Sequence, residues 1–242
     1  MLLEEFYRSD EITVNGWAAD GKAKIISVVD RVTMRGTNRI GICICHNFPS
    51  VHLEKYSAEI TRITDKIVEA FGIKEGPIYF QYLIGEEGIK VNEIAMRIGG
   101  AYEDITLPII SGVDVAKMLM QYAKDGSCDI KALSHYSLSE NNKFLSTQLF
   151  FLRPGTILKA TPEQEILNVK GVRDVYYFVR EGDTIGGIEN ATARAGYFIV
   201  EGNSFKDMID NVDAVFESMQ FLNGEGENLV IKYSDYKYKY LF

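Results

Sequence analysis

Two apolar-rich stretches open the chain, EITVNGWAAD (11–20) and KAKIISVVD (22–30), and both read as strands. They meet across Asp20-Gly21, a dipeptide that favours the left-handed conformations of a two-residue hairpin turn. A third strand is predicted near 40–46, after the basic stretch RVTMRGTNR, and Pro49 in FPS then breaks the chain. From Leu53 the period changes. Apolar residues at 53, 56, 60, 63, 67 and 71 have helical spacing, and Gly72 ends the run. Strands follow near 78–84 and 89–95, joined by GEEG. A shorter helix near 113–124 places Val115, Met118, Leu119 and Tyr122 on one side, and Asp125-Gly126 closes it.

Residues 126–142 (GSCDIKALSHYSLSENN) are polar and rich in turn formers, which marks a connection. Beyond it, KFLSTQLFFLRPG, TILKA, VRDVYYFVREGD and AGYFIVEG read as strands. SFKDMIDNVDAVFESMQ (204–220) reads as an amphipathic helix with Ser204 as N-cap and Asp207 at N3. Its apolar stripe, Phe205, Met208, Ile209, Val212, Val215, Phe216 and Met219, is a core face. The tail YSDYKYKYLF alternates Tyr and Lys as an edge strand does. The pattern is that of an α+β protein with two domains, 1–128 and 129–242, the second smaller and mostly β with one helix.

Composition narrows the class. The 242 residues are 46% hydrophobic and 25% charged, enough for a sizeable core without cross-links. A net charge of −8 argues against nucleic acid as a partner, since phosphate binding needs a basic face. No apolar run approaches the ~20 residues that cross a bilayer, and the acidic start MLLEEFYRSDE has no signal-peptide core. The expected location is the cytoplasm. Cys43, Cys45 and Cys128 are too few for a disulfide framework. CICH (43–46) could suggest zinc, but no second ligand pair lies nearby, and Cys43 and Cys45 flanking Ile44 fit one face of a strand.

The candidate chemistry lies in KVNEIAMRIGG (90–100). If the GEEG turn pairs its flanking strands symmetrically, Glu93 falls opposite position 80 or 81, so the Gln81 amide oxygen and the Glu93 carboxylate can face one space. Two hard oxygen donors on neighbouring strands suit Mg²⁺, which keeps waters and phosphate oxygens in its shell. Arg97 offers a fixed fork for a phosphate, and Gly99 and Gly100 allow close backbone approach. A Glu–Arg pair on a sheet surface would leave the same pattern. Histidines 46, 52 and 135 are each read as structural.

LLEEFYRSDEITV, GPIYFQ and NEIAMRIGG, in this order and spacing, resemble the C-terminal half of an ATP-grasp ligase. Carbamoyl-phosphate synthase large subunits, biotin carboxylases and ATP-dependent amino-acid ligases belong to that family. LRPGTILK and VREGDTIGGIENATARAGYFIVEG, with Arg194 before the Gly-Tyr strand, look like the domain that follows in the biotin-carboxylase and amino-acid-ligase branches. The resemblance implies the C-terminal part of an ATP-grasp domain, an antiparallel sheet with helices on one face, followed by the smaller β-rich domain. It implies an adenine hinge at Glu4, Glu5 and Phe6 and a ribose acid at Glu11. It implies metal ligands at Gln81 and Glu93, a phosphate or acyl-phosphate arginine at Arg97, and a triphosphate contact from Arg39 or Arg35. The implied cofactors are ATP and Mg²⁺ (or Mn²⁺), with a small carboxylate and an amine as substrates. Glu103 and Asp104, just past the glycines, could meet that amine.

The chain departs from the family at Ala95, where the Glu-x-Asn-x-Arg run carries a metal-binding Asn. The family's preceding subdomain, with its phosphate lysines and glycine-rich flap, would lie before Met1. The expectation is a fragment or independently encoded half that needs that region as a partner, from the same gene or a separate chain, and is inactive alone. A homo-oligomer is compatible with the sequence. The alternative is a non-catalytic binding or assembly module with a degenerate metal site.

Overall fold

The structure is a computed structural model that describes residue 3, residues 5–34 and residues 41–233. Glu4, Arg35, Arg39 and the Tyr/Lys tail from residue 234 onward therefore lie outside the described residues. The strands are β1 Ser9–Ala19, β2 Lys22–Thr33, β3 Cys43–Phe48, β4 Gly76–Gly85, β5 Gly88–Ala95, β6 Phe144–Leu152, β7 Gly155–Thr156, β8 Lys159–Ala160, β9 Val172–Tyr177, β10 Thr184–Ile185, β11 Gly196–Gly202, β12 Phe221–Leu222 and β13 Val230–Ile231. The helices are α1 Leu53–Ala70, α2 Glu103–Ser111, α3 Val115–Asp125, α4 Lys131–Ser134, α5 Glu163–Leu167 and α6 Phe205–Ser218. The chain divides into two compact units, residues 1–31 with 48–142, and residues 32–47 with 143–242. Among the described residues no helix is long and apolar enough to cross a membrane.

In the first unit the strands run in the order β5-β4-β1-β2 with every pairing antiparallel. Asp20 (φ 51°) and Gly21 (φ 72°) make the tight β1–β2 turn that the sequence predicts. Even-numbered residues of β1 and β4 point to α1. Ile12, Val14, Ile78, Phe80, Tyr82 and Ile84 pack with Ile60 and Val68 into the main core, all at 5% exposure or less. Burying side chains of this size contributes about 1.5–3 kcal/mol each. Thr64, inside that interface, satisfies its hydroxyl with the Ile60 carbonyl (2.7 Å) and the Tyr82 hydroxyl (2.8 Å). A second cluster on the opposite face joins Trp17, Ala19 and Ile26 to Leu107, Val113, Val115, Met118 and Leu133.

The helix predicted near 113–124 is α3. It starts two residues late because Asp114 caps it, accepting from the Lys117 N–H at 2.8 Å. Helix α2 was not expected. EDITLPIIS has no clean helical period and carries Pro108, and what holds it is burial of Leu107 and Ile110.

The second unit orders its strands β3-β6-β11-β9, with β13 on the edge residues of β6. Phe150, Phe198, Phe216 and Phe221 form its aromatic centre, with ring centroids 5.1–6.5 Å apart along the chain of contacts. Helix α6 lies against β11 and β6 and buries Met208, Ile209, Val212, Val215 and Phe216 of the predicted stripe, with Phe205 partly buried and Met219 buried just past the helix end. Ser204 accepts from the Asp207 N–H at 3.1 Å, as predicted for the cap. Cys43 and Cys45 are buried, reduced thiols on β3, all of whose residues are buried.

Candidate functional site

Three rows cross the face of the first unit's sheet opposite α1, each set by strand register. One runs Arg31–Glu11–Leu83–Lys90, the next Val29–Thr13–Gln81–Glu93, and the third Ser27–Asn15–Tyr79–Ala95. Residues paired directly across antiparallel strands share a face, so Gln81 and Glu93 are neighbours on one surface. Glu11 stands on the same face one row away. Its position relative to Gln81 is diagonal, a separation of roughly 7–8 Å between such positions.

A β-bulge puts Glu93 there. From the turn, the pairs Gly85–Gly88, Ile84–Ile89, Leu83–Lys90 and Tyr82–Val91 follow a regular register, which then shifts so that Gln81 meets Glu93 and Asn92 is the extra residue. Were Asn92 paired in an unbroken register, Glu93 would fall opposite Phe80, whose ring is in the core under α1. Asn92 turns its side chain to the polar face, where its Nδ2 donates to Gln81 Oε1 at 3.4 Å. Gln81 Nε2 donates to the Tyr79 hydroxyl at 3.0 Å. Gln81 is only 9% exposed, so this amide is held on both ends.

Arg97 lies just past β5. Its guanidinium reaches Glu93 at 3.3 Å, donates to the Ile98 carbonyl at 3.1 Å, and stacks over the Tyr79 ring at 4.8 Å from the centroid. Glu93 and Arg97 are about half exposed. Gln81, Asn92, Glu93 and Arg97 thus present two amides, one carboxylate and one guanidinium to a single patch. The oxygen donors are hard and suit a divalent cation that keeps waters, while the guanidinium suits an anion beside it. Among the described residues no three His, Cys, Asp or Glu side chains form a metal cluster, so any cation here relies on the amides.

Glu11 is already engaged. Arg31 Nη1 donates to its Oε2 at 2.7 Å, with both side chains about 16% exposed. The segment leading into β1 is fixed on the β4–β5 hairpin by Tyr7, not by Phe6. The Tyr7 hydroxyl donates to the Gly88 carbonyl (2.9 Å) and accepts from the Glu87 N–H (3.1 Å), and Lys90 sits over its ring at 4.1 Å. Gly85 lacks a side chain because a Cβ there would fall 2.6 Å from the Tyr7 ring. Lys90 also pairs with Glu87 (2.8 Å) and reaches Glu5 (3.7 Å), and the Glu87 hydrogen bond raises the Lys90 pKa. Phe6 is 89% exposed.

Glu103 does not reach outward to an amine. It is 2% exposed at the first turn of α2, and its Oε2 accepts from the Ala101 N–H at 2.6 Å. Gly99 leaves room for that carboxyl, since a Cβ there would come within 2.3 Å of it. Asp104 is exposed on α2. In the second unit Arg194 donates from Nε to the Ala191 carbonyl at 3.0 Å, ahead of β11. Tyr79 and Asn92 are the contributors that the sequence left unmarked. Only the strand register shows what each one touches.

Residues 148–222 match the family described as L-amino acid ligase C-terminal domain 2. No curated protein matches this chain in sequence. Solved structures share its fold. An L-amino acid ligase from Bacillus licheniformis and a phosphoribosylglycinamide synthetase from Anaerococcus prevotii each superpose with a TM-score of 0.76 at 16% identity, over 90% of this chain and 55% of theirs. The biotin carboxylase domain of the Hydrogenobacter thermophilus 2-oxoglutarate carboxylase, solved with MgADP and bicarbonate, gives 0.65 at 17% identity, over 92% of this chain and 46% of that one. The chain spans about half the length of these structures.

Proposed function

We propose that this chain, which has the fold of the C-terminal half of an ATP-grasp protein, carries the metal- and phosphate-facing part of an ATP-dependent ligase joining a carboxylate to an amine. The observation that carries this reading is the direct pairing of Gln81 with Glu93 on one sheet face, with Arg97 seated beside them. The L-amino acid ligase match in the second unit favours an amino-acid-like substrate.

Gln81 and Glu93 would hold Mg²⁺ (or Mn²⁺), which supplies charge neutralisation at the phosphates of ATP when bound. In the proposed reaction a carboxylate oxygen attacks the γ-phosphorus of ATP, releasing ADP and giving an acyl phosphate. The amine then displaces inorganic phosphate. Such a transfer needs positioning and electrostatic stabilisation more than a covalent protein nucleophile. Arg97 swings between Glu93 and the phosphoryl oxygens, a short path for an exposed side chain anchored by its stack on Tyr79. Glu11, set by Arg31, accepts from the ribose hydroxyls. Glu5 and Phe6 border the adenine. The remaining walls of the nucleotide site come from a further region equivalent to the other half of the structures that this chain matches.

Ala95 favours a second reading. It stands opposite Tyr79 and offers no ligand where the family places an Asn. On that reading the chain is a binding or assembly module with a weakened metal site. Calorimetry with ATP, with and without Mg²⁺, separates the two when run on this chain alone and together with the complementary half of an ATP-grasp domain. Metal-dependent nucleotide binding that requires Glu93 supports the ligase. Absence of such binding in both samples supports the module.

A further inference from the structure

We propose that Tyr79 is the positioning residue of this patch, aiming the Gln81 oxygen with its hydroxyl and seating Arg97 on its ring; this rests on the metal reading above. A glutamine differs from a carboxylate in one decisive way. It has a single ligating oxygen, and its other end bears two N–H donors that repel a cation. An amide can serve as a metal ligand only if something fixes which end faces the metal. Here Gln81 Nε2 is tied to the Tyr79 hydroxyl at 3.0 Å, which turns Oε1 towards Asn92 (3.4 Å) and the Glu93 side of the strand pair. The same ring lies under the Arg97 guanidinium at 4.8 Å. Tyr79 is 4% exposed and set in the middle of β4, so both contacts come from a rigid element. One buried side chain thus orients the cation ligand and the anion ligand together, and the two roles use different atoms of it.

Because the roles use different atoms, they can be separated. Tyr79→Phe keeps the ring and removes the hydroxyl, whereas Tyr79→Leu removes both. Mn²⁺ alone is titrated into the protein by electron paramagnetic resonance. Tyr79→Phe is expected to weaken Mn²⁺ about tenfold, the usual scale for removing a partner behind a metal ligand. In a Gln81→Glu background the carboxylate has two equivalent oxygens and needs no aiming, so adding Tyr79→Phe should change Mn²⁺ affinity less than about twofold. A second measurement reads the other role. The Arg97 Nε–H proton resonance, displaced by the ring current of Tyr79, should keep its shift in Tyr79→Phe and lose it in Tyr79→Leu. An equal loss of Mn²⁺ affinity in both backgrounds, or none in either, overturns the aiming role. An Arg97 resonance unmoved by Tyr79→Leu overturns the seating role. If the wild-type protein binds Mn²⁺ no better than Glu93→Ala, the metal reading itself falls, and the aiming role with it.

Discussion

Gln81 on β4 and Glu93 on β5 are direct cross-strand partners, and they are so only because Asn92 is bulged out between two registers. Replacing Glu93 with alanine removes the one carboxylate of the patch. Metal-dependent nucleotide binding should fall at least tenfold. The Glu93–Arg97 pair is half exposed, so its loss should alter folding stability by no more than about 0.5 kcal/mol. Calorimetry and a thermal melt on the same sample check both halves of the expectation.

Phe80, next to Gln81 in sequence but on the other sheet face, is fully buried between the sheet and α1. Phe80→Ala should destabilise the protein by about 3–5 kcal/mol through lost burial and the cavity left behind. A shift of the urea midpoint measures this. A cost below about 1 kcal/mol would mean that the α1 interface is loosely packed.

Asp207 gives the second unit an acid-sensitive contact. Lys170 donates to its Oδ1 at 2.6 Å and the Asn203 N–H to its Oδ2 at 2.9 Å, and these bonds lower its pKa from the ordinary 3.8. A carboxyl with a depressed folded-state pKa takes up its proton more readily when the chain is unfolded. Its stabilisation is therefore complete above the unfolded value and disappears as the pH falls through the folded one. The Asp207→Ala variant should melt below the wild type at neutral pH, and the gap should close on acidification below about pH 4. Melting curves at a series of pH values test this.

Cys128 is a thiol held protonated. Burial is the main cause and the Glu75 carboxylate, 3.4 Å away, adds to it, pushing the pKa from 9.0 to about 11. Two pH units correspond to roughly a hundredfold less thiolate at neutral pH, and thiolate is the reactive form. Alkylation of Cys128 by iodoacetamide, followed by mass spectrometry, should be correspondingly slow at pH 8. It should rise with each unit up to about pH 11, and Glu75→Gln should speed it.

Much of this was legible in the residues. Asp20-Gly21 fixed a hairpin, the spacing from Leu53 fixed α1, and Ser204 with Asp207 marked the start of α6, because each signal is local. Symmetric pairing about the turn brought Glu93 near Gln81 but left 80 and 81 equally open, and those two positions lie on opposite sheet faces. A bulge is a property of two strands, so neither strand alone reveals it. The Glu11–Arg31 pair likewise depends on the β1–β2 register, with its own shift after Asn15. Helix α2 escaped notice because tertiary burial holds it, not an amphipathic period. Glu103, a candidate contact for the amine, is packed against Gly99 and binds backbone. The closeness of the glycine turn is what encloses it.

The extra residue at Asn92 acts as a parity switch in β5. Before it, odd-numbered side chains take the α1 side of the sheet; after it, even-numbered ones do. Pairing Asn92 in one unbroken register, with no bulge, would leave the composition of the patch intact, yet it would invert every later position of the strand. The acid would be thrust beneath α1 against Phe80 while Ile94 surfaced in its stead. Spacing to the neighbouring strand, as much as side-chain identity, thus decides whether this hairpin can offer a ligand at all.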